Sequence, residues 1–327
     1  MKVLITGGAG FIGSHLIEHI IRKTTFHVVC IDMLSYASAG WSRLKDSDLY
    51  YSPRVKCLTW NLEIPFSQGM IDEIEDIDII IHVAAISHVD YSIKNPVETI
   101  RNNIMSTVNL LEYARTLKNL KIFQYFSTDE VFGTCPKGQS YKEHDPHRPT
   151  NPYSASKAAS EDICLAYHNT YKVPIIITNL MNVFGQRQYS MNFIPKVIKK
   201  VLNDEVVDIH TESDGVTSGS RFYIHARNVA DAVLFIIEKG QIGEKYNIRG
   251  SCEVTNLDLA QKIAAIIGKP LKYNLVAHHD DRPGHDDRYE LSGEKLAKEG
   301  WNPPVDFEKS LEHTVKWSIL HSQWLKE

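Results

Sequence analysis

The stretch Ser127-Thr128-Asp129-Glu130-Val131 places two adjacent carboxylates beside two hydroxyls, and Tyr153-Ser-Ala-Ser-Lys157 follows about one loop later. Four residues apart, Tyr153 and Lys157 share one face of a helix. An ammonium beside a phenol favours the phenolate, so the pair suits removal of an alcohol proton while the carbon gives up a hydride. Asp129 and Glu130 add an acid and a base that a simple alcohol oxidation does not need. Neighbouring carboxylates repel, which raises one pKa and keeps one proton available near neutrality. The combination points to a redox step that enables an elimination.

A hydride needs an acceptor, and the N-terminus has the residues for its site. Gly7-Gly8-Ala9-Gly10-Phe11-Ile12-Gly13 follows the first apolar run and opens the first helical pattern, with G-x-x-G-x-x-G spacing. Glycines there permit a tight turn, so a pyrophosphate can rest on the free N–H groups and positive dipole end of the helix. Asp32 ends the second run. A carboxylate at that place accepts from ribose hydroxyls and repels a 2′-phosphate, which favours NAD over NADP. Asn61 follows the third run, where its amide either reads the adenine edge or serves the loop. Ala84 follows the fourth and either leaves room for the cofactor or packs.

These groups need a scaffold that brings strand ends together. Lys2–Thr6, His27–Asp32 and the runs 55–60, 78–85, 121–128 and 174–179 are short and rich in β-branched residues, as strands buried on both faces are. Between them, Phe11–Lys23, 96–117 and Pro152–Tyr171 carry apolar residues at helical spacing. Repeated strand–helix units imply a parallel sheet with right-handed crossovers. After Gly185 we expect a helix at 192–202, a Gly/Ser-rich loop at 211–220, and a strand–helix unit at 221–239. A strand at 246–249, a helix at 255–267 and two further short helices complete the reading. The expected division is a first domain at 1–180, rejoined by about 221–245, and a smaller lobe made mainly from 181–327.

Composition excludes several classes. Over 327 residues, 43% apolar and 23% charged content is ordinary for a globular chain that buries a sizeable core. A net charge of −4 lacks the basic surplus of a nucleic-acid or membrane-surface binder. No run approaches a membrane span and no signal-peptide pattern opens the chain. The five cysteines are scattered without C-x-x-C pairing, and the fifteen histidines show no ligand spacing. We therefore expect free thiols, no metal and a cytoplasmic protein.

Gly7–Gly13, Ser127-Thr128, Val131-Phe132-Gly133 and Tyr153–Lys157 together resemble the extended short-chain dehydrogenase/reductase family. Within it, Ser127–Gly133, His88-Val89-Asp90, the segment 152–160 and Arg282-Pro283-Gly284-His285-Asp286 resemble nucleotide-sugar 4,6-dehydratases of the dTDP-glucose type. The resemblance implies an α/β fold, a Rossmann-type doubly wound parallel sheet with a smaller C-terminal α/β substrate lobe. It implies NAD-dependent oxidation at C4 of a nucleotide-diphosphate hexose, loss of water across C5 and C6, and return of the hydride to C6. In that scheme Thr128 orients the C4 oxygen, Tyr153 and Lys157 serve the oxidation, Asp129 is the acid and Glu130 the base. Ser87, His88, Asn182, Arg221, Asn256 and Arg288 match positions expected to hold the substrate. Relatives pair two long helices into a four-helix bundle, which implies a homodimer. Leu110, Leu111, Ala114 and Leu117 offer an apolar face for that contact or for the chain's own core.

Departures gather where substrate identity is set. Ile86 stands for the family's Glu, Tyr91 for its Arg, and Val207-Asp208-Ile209-His210 for the segment flanking the base. Thymine or uracil, and glucose or N-acetylglucosamine, remain open. So do a nucleotide-sugar 4-epimerase, a dehydratase that also inverts C5, and, in another class, a non-catalytic NAD-binding sensor.

Overall fold

Runs of β-branched residues with no polar alternation become strands covered on both faces, because either face left in water would expose apolar surface. The computed structural model describes residues 1–35, 38–211, 216–277 and 288–326. The first half reads β1 (Lys2–Thr6), α1 (Phe11–Lys23), β2 (His27–Asp32), α2 (Ser42–Asp46), β3 (Val55–Thr59), α3 (Gln68–Ile74) and β4 (Ile79–His82). Next come α4 (Val89–Lys94), α5 (Pro96–Thr116), β5 (Ile122–Thr128), α6 (Pro152–Tyr171) and β6 (Ile175–Leu180). Among the described residues, seven strands form one sheet in the order β10-β6-β5-β4-β1-β2-β3, where β10 is Lys245–Ile248. Every pairing in it is parallel. The order reverses between β1 and β4, and such a switch point opens a crevice beyond the strand C-termini.

β4, β5 and β6 are buried along their whole lengths, whereas the edge strand β3 is partly open. One core packs α1 and α8 (Ala226–Lys239) on one face of the sheet, and a second packs α5 and α6 on the other. Leu110, Leu111 and Ala114 lie in that second core with Leu117 against it, so the apolar face of α5 serves this chain's own interior. Helix α6 begins with a reciprocal cap. Asn151 accepts from Ser154 N at 2.8 Å, Asn151 N donates to Ser154 Oγ at 3.2 Å, and Pro152 takes a first-turn position. Its inward face carries small polar residues, and Asn103 of α5 donates to Ser156 Oγ at 2.9 Å. This close packing fixes the rotation of α6 and hence where Tyr153 and Lys157 point.

The later half is built from β7 (Asn182–Phe184), α7 (Phe193–Leu202), β8 (Val207–Thr211), β9 (Ser220–His225), β11 (Glu253–Thr255), α9 (Asn256–Ile267), β12 (Tyr273–Ala277), α10 (Glu294–Lys298) and α11 (Phe307–Leu320). It departs from expectation in three ways. The strand at 220–225 joins a small sheet, β11-β9-β7, while α8 packs on α1 and β10 re-enters the large sheet. Val207–Thr211 is a strand whose buried positions alternate with exposed ones, paired in parallel with β12. Helix α11 is not short but runs for 14 residues, burying Phe307, Leu311 and Val315 in the lobe's own core. Among the described residues no helix is long and apolar enough to cross a membrane.

The turn between β1 and α1 needs glycine for two separate reasons. Gly7 has φ +72°, and a Cβ on Gly13 would stand 2.3 Å from the Gly7 carbonyl oxygen and 2.7 Å from Gly8 Cα. Gly13→Ala is therefore expected to destabilise the fold by about 1–3 kcal/mol through overpacking. Urea denaturation checks this, and an unchanged midpoint would contradict the packing argument.

Candidate active site

The strand C-termini frame a cavity of ≈ 390 Å³, within the usual size of a ligand site. Gly7, Gly10, Phe11, Ile12 and Gly13 line one end of it. Gly10 caps α1 with no side-chain bond, so the first-turn N–H groups of that helix face the cavity without an internal cap. Asp32 lines the same end. Its oxygens accept from Ala9 N at 3.0 Å and Leu34 N at 2.8 Å, which tie the carboxylate to the glycine turn and to the loop after β2. Burial raises its pKa against those donors. Ala84 lines the cavity as expected, and a Cβ on Gly7 would collide with its backbone.

Asn61 is placed beside the cavity. Its amide oxygen accepts from Glu63 N at 3.0 Å, closing its own turn, while its neighbours Trp60 and Leu62 line the wall. Trp60 donates to Ile64 O at 3.0 Å, which holds the ring at the cavity edge. The position of Trp60 directly after the third strand was the available signal.

The catalytic candidates meet at the middle of the cavity, with Thr128, Asp129, Glu130, Tyr153 and Lys157 all on its wall. Thr128 ends β5 and caps the 3₁₀ turn Asp129–Phe132, accepting from Glu130 N at 3.3 Å and donating to Asp129 Oδ1 at 3.0 Å. Asp129 Oδ2 and Ser127 Oγ are buried and have no hydrogen-bond partner among the described residues. Burial pushes the Asp129 carboxyl up to about 6, against the Thr128 hydroxyl and the Arg221 charge. Glu130 Oε2 accepts from Asn151 Nδ2 at 3.1 Å, so the residue that caps α6 also holds the second carboxylate. The site therefore contains one acid that keeps its proton unusually long and, beside it, a carboxylate held by a neutral amide.

Lys157 and Tyr153 differ from the simplest expectation. The Lys157 ammonium lies over the Tyr125 ring, 4.2 Å from its centroid. Burial draws it down to about 7, opposed by the charge of Glu161. The Tyr153 phenol is pushed well above its ordinary range, first by burial and then by Glu130 and Asp129, with the Thr128 hydroxyl acting against them. Burial first, and then the two carboxylates beside the phenol, set the direction, and the spacing to Lys157 does not reverse it.

Ser87, His88 and Asn182 line the far end of the cavity, with Ile86 beside them. Tyr91 turns to Glu98, donating at 2.8 Å. Gln188, Tyr189 and Asn192 also line this end and were not anticipated; they follow Gly185, beyond which the strand–helix alternation loosens. Arg221, Asn256 and Arg288 are not on the cavity wall. Arg221 stacks on Tyr289, 5.1 Å from its centroid. Asn256 accepts from the Tyr223 hydroxyl at 3.2 Å. The Arg288 guanidinium pairs with Glu253 at 3.1 Å and with Glu290, and donates to the carbonyls of Pro136 and Gln139. The segment 282–286 lies outside the described residues.

Comparison with known proteins matches this arrangement to one family. A sequence model of the family described as GDP-mannose 4,6 dehydratase matches residues 4–314. A dTDP-glucose 4,6-dehydratase of Haemophilus influenzae is 35% identical, covering 98% of this chain and 99% of that protein. The solved dTDP-glucose 4,6-dehydratase of Streptomyces venezuelae, with NAD bound, superposes with a TM-score of 0.88 at 31% identity, covering 100% of this chain and 99% of that one. A UDP-glucuronic acid 4-epimerase of Bacillus cereus, solved with UDP-glucuronic acid and NAD, has a TM-score of 0.87 at 28% identity over 98% of this chain and 100% of its own. Dehydratase and epimerase thus share the scaffold, and the chain belongs to the GDP-mannose 4,6 dehydratase family.

Proposed function

We propose that this chain is an NAD-dependent nucleotide-diphosphate-hexose 4,6-dehydratase, a hydro-lyase that converts the hexose to its 4-keto-6-deoxy form. The observation that carries this reading is the acid–base pair Asp129 and Glu130 beside Tyr153 in one cavity. Epimerisation at C4 alone has no use for such a pair.

The cavity fits NAD on the chain's own residues: a glycine turn on its wall packed too tightly against the chain to carry side chains, an uncapped helix start, and the Asp32 carboxylate at the ribose end. NAD held by this end of the cavity would supply the acceptor for the C4 hydride and its donor to C6, and its cationic ring would favour the tyrosinate. Thr128 orients the C4 oxygen, and Tyr153 takes the C4 hydroxyl proton. A ketone at C4 acidifies the C5 proton, which Glu130 removes and returns to C5 once C6 has received the hydride. Asp129, kept protonated up to about pH 6 by burial, gives its proton to the departing C6 hydroxyl. The buried and unpartnered Asp129 Oδ2 and Ser127 Oγ support a polar ligand here, since such atoms are otherwise costly. Arg221, Asn256 and Arg288 are assigned to the diphosphate and ribose end. In that role Arg288 must exchange its carboxylate partners for phosphate.

The dimer belongs to the same proposal. Val97 (78% exposed), Ile100 and Met105 recur at helical spacing on the outside of α5, which packs along α6. A two-fold partner would cover that stripe and complete a four-helix bundle. We place the activity in the cytoplasm.

Four outcomes test this reading. Mass spectrometry after incubation with dTDP-glucose, UDP-glucose or UDP-N-acetylglucosamine should show loss of one water from at least one of them; inversion at C4 with no water loss would overturn it. In Glu130→Gln, the absorbance of reduced cofactor should still appear while water loss falls by about 10²-fold or more, the usual contribution of a general base. Asp32→Ala should weaken NAD binding by about 1.5–3 kcal/mol, the worth of hydrogen bonds to a charged group. Trp60 fluorescence titrations with NAD and NADP check it, because loosened loops would weaken both cofactors whereas a lost ribose contact changes their ratio. Ile100→Asp should shift the sedimentation of the protein from dimer to monomer.

A further inference from the structure

Behind the cavity wall, a carboxylate is held where no solvent reaches it. Glu161 is 0% exposed and lies one helical turn beyond Lys157, so both side chains leave the same face of α6. Its Oε2 accepts from Lys245 Nζ at 2.7 Å and lies 3.2 Å from His147 Nε2. Its Oε1 accepts from Asn179 Nδ2 at 2.7 Å, and the same amide nitrogen reaches the Thr128 carbonyl at 3.4 Å. Asn179 is in register with Ser127 across β6 and β5. One buried carboxylate therefore links β10, α6, β6 and the end of β5.

Such a cluster is expensive. Desolvation costs several kcal/mol per ion, and apolar residues of similar volume often serve a core as well or better. The proposed chemistry uses none of Glu161, Lys245 or His147 directly, so packing alone does not account for the ions.

We propose that Glu161 is a positioning residue: it presents a fixed negative charge to Lys157 from behind the cavity and, through Asn179, fixes the strand end that carries Thr128, Asp129 and Glu130. The proposal rests on the reading above that Lys157 serves the oxidation as an ammonium. Lys157 is faced by Tyr153, Glu161 and Cys164 on α6, Tyr125 on β5 and His82 on β4. Glu161 is faced by Lys245 on β10, by His147 with Asp162 at 3.5 Å behind it, and by Lys157. Burial draws the Lys157 ammonium down, and Glu161 is the foremost charge holding it up. Burial also works against the Glu161 carboxylate, yet His147 and Lys245 hold it at about 2, so it stays charged through the working pH range. Removing the carboxylate charge should release the Lys157 proton at lower pH. Removing Lys245 alone should retain it to higher pH.

The test removes the ion pair together, in Glu161→Gln/Lys245→Met, so that no unpaired charge is left buried by the change. The Nζ resonance of Lys157 is titrated in ¹⁵N-lysine-labelled protein with NAD bound, assigned with Lys157→Arg, and the pH profile of kcat/KM is measured alongside. In Glu161→Gln the Lys157 midpoint should move acid-ward by about one pH unit, the scale on which a lost nearby opposite charge acts, and in the double variant acid-ward by less, because the Lys245 charge is removed with it. The alkaline limb of the rate profile should follow it. Lys245→Met alone should move both in the alkaline direction, and Glu161→Asp should restore the midpoint. Should the double variant not fold, Glu161→Gln alone gives the same reading, since its amide oxygen still accepts from Asn179. An unmoved or alkaline-shifted Lys157 midpoint on loss of the Glu161 charge would overturn the proposal. The resonance needs no substrate, so the midpoint reports on Glu161 even if the dehydratase reading fails.

Discussion

At the junction of β5 and α6, ionisable groups have been taken out of water, and the rest of the structure is arranged so that they can stay there. Asp129, Tyr153, Lys157 and Glu161 are all buried. Burial is the foremost influence on each: it pushes the carboxyl of Asp129 and the phenol of Tyr153 up and draws the ammonium of Lys157 down. In Glu161 alone do surrounding cations reverse its direction. Asp129 and Lys157 are thereby displaced toward neutrality, where a group can give and take protons in a way that exposed copies of the same side chains would not.

That constraint explains the scaffold. Strands buried on both faces keep water away from the floor of the cavity, and the small inward residues of α6 let it approach α5 closely enough to fix Tyr153 and Lys157. Asn151 shows how tightly the parts are shared. It caps α6 and also donates to Glu130, so the helix that holds the phenol and the turn that holds the second carboxylate meet at one side chain. The parallel order of the sheet brings the glycine turn after β1 and the reacting groups after β5 to the same edge, across the point where strand order reverses.

The two halves of the cavity are joined by a second buried charge. Arg43 donates from Nε to Arg187 O at 2.8 Å, and from Nη1 to Ala9 O at 3.1 Å and Ser38 O at 2.6 Å. Those carbonyls belong to the linker before α7, the glycine turn and the loop after β2. Arg187 in turn pairs with Glu18 of α1 at 2.6 Å. Gln188 and Tyr189 therefore reach the cavity from a segment anchored to the nucleotide-binding half.

Much of the first 180 residues was legible as sequence, because each element there announces itself locally. Phe11–Lys23 and Pro152–Tyr171 carry their own start signals, Gly10 before the first and Asn151-Pro152 before the second, and both helices have the predicted bounds. The glycine turn, Asp32 and the 128–130 and 153–157 residues were legible for the same reason: chemistry that needs fixed spacing leaves it in the chain. Less was legible after Gly185. β7, β11 and β12 are too short to show a period, and each exists because a partner distant in sequence completes it. The position of Asn61 left two readings open, and only the fold shows that its amide oxygen closes a local turn with Glu63. By itself the sequence determined which groups have the chemistry to react and on which elements they stand, since helical and strand periods are local properties of the backbone. Tertiary structure decided their protonation, the turning of Lys157 toward Tyr125, the partners of Arg288 and the burial of Glu161. Each of these depends on desolvation and on charges brought close from elsewhere in the chain, and no local pattern encodes them.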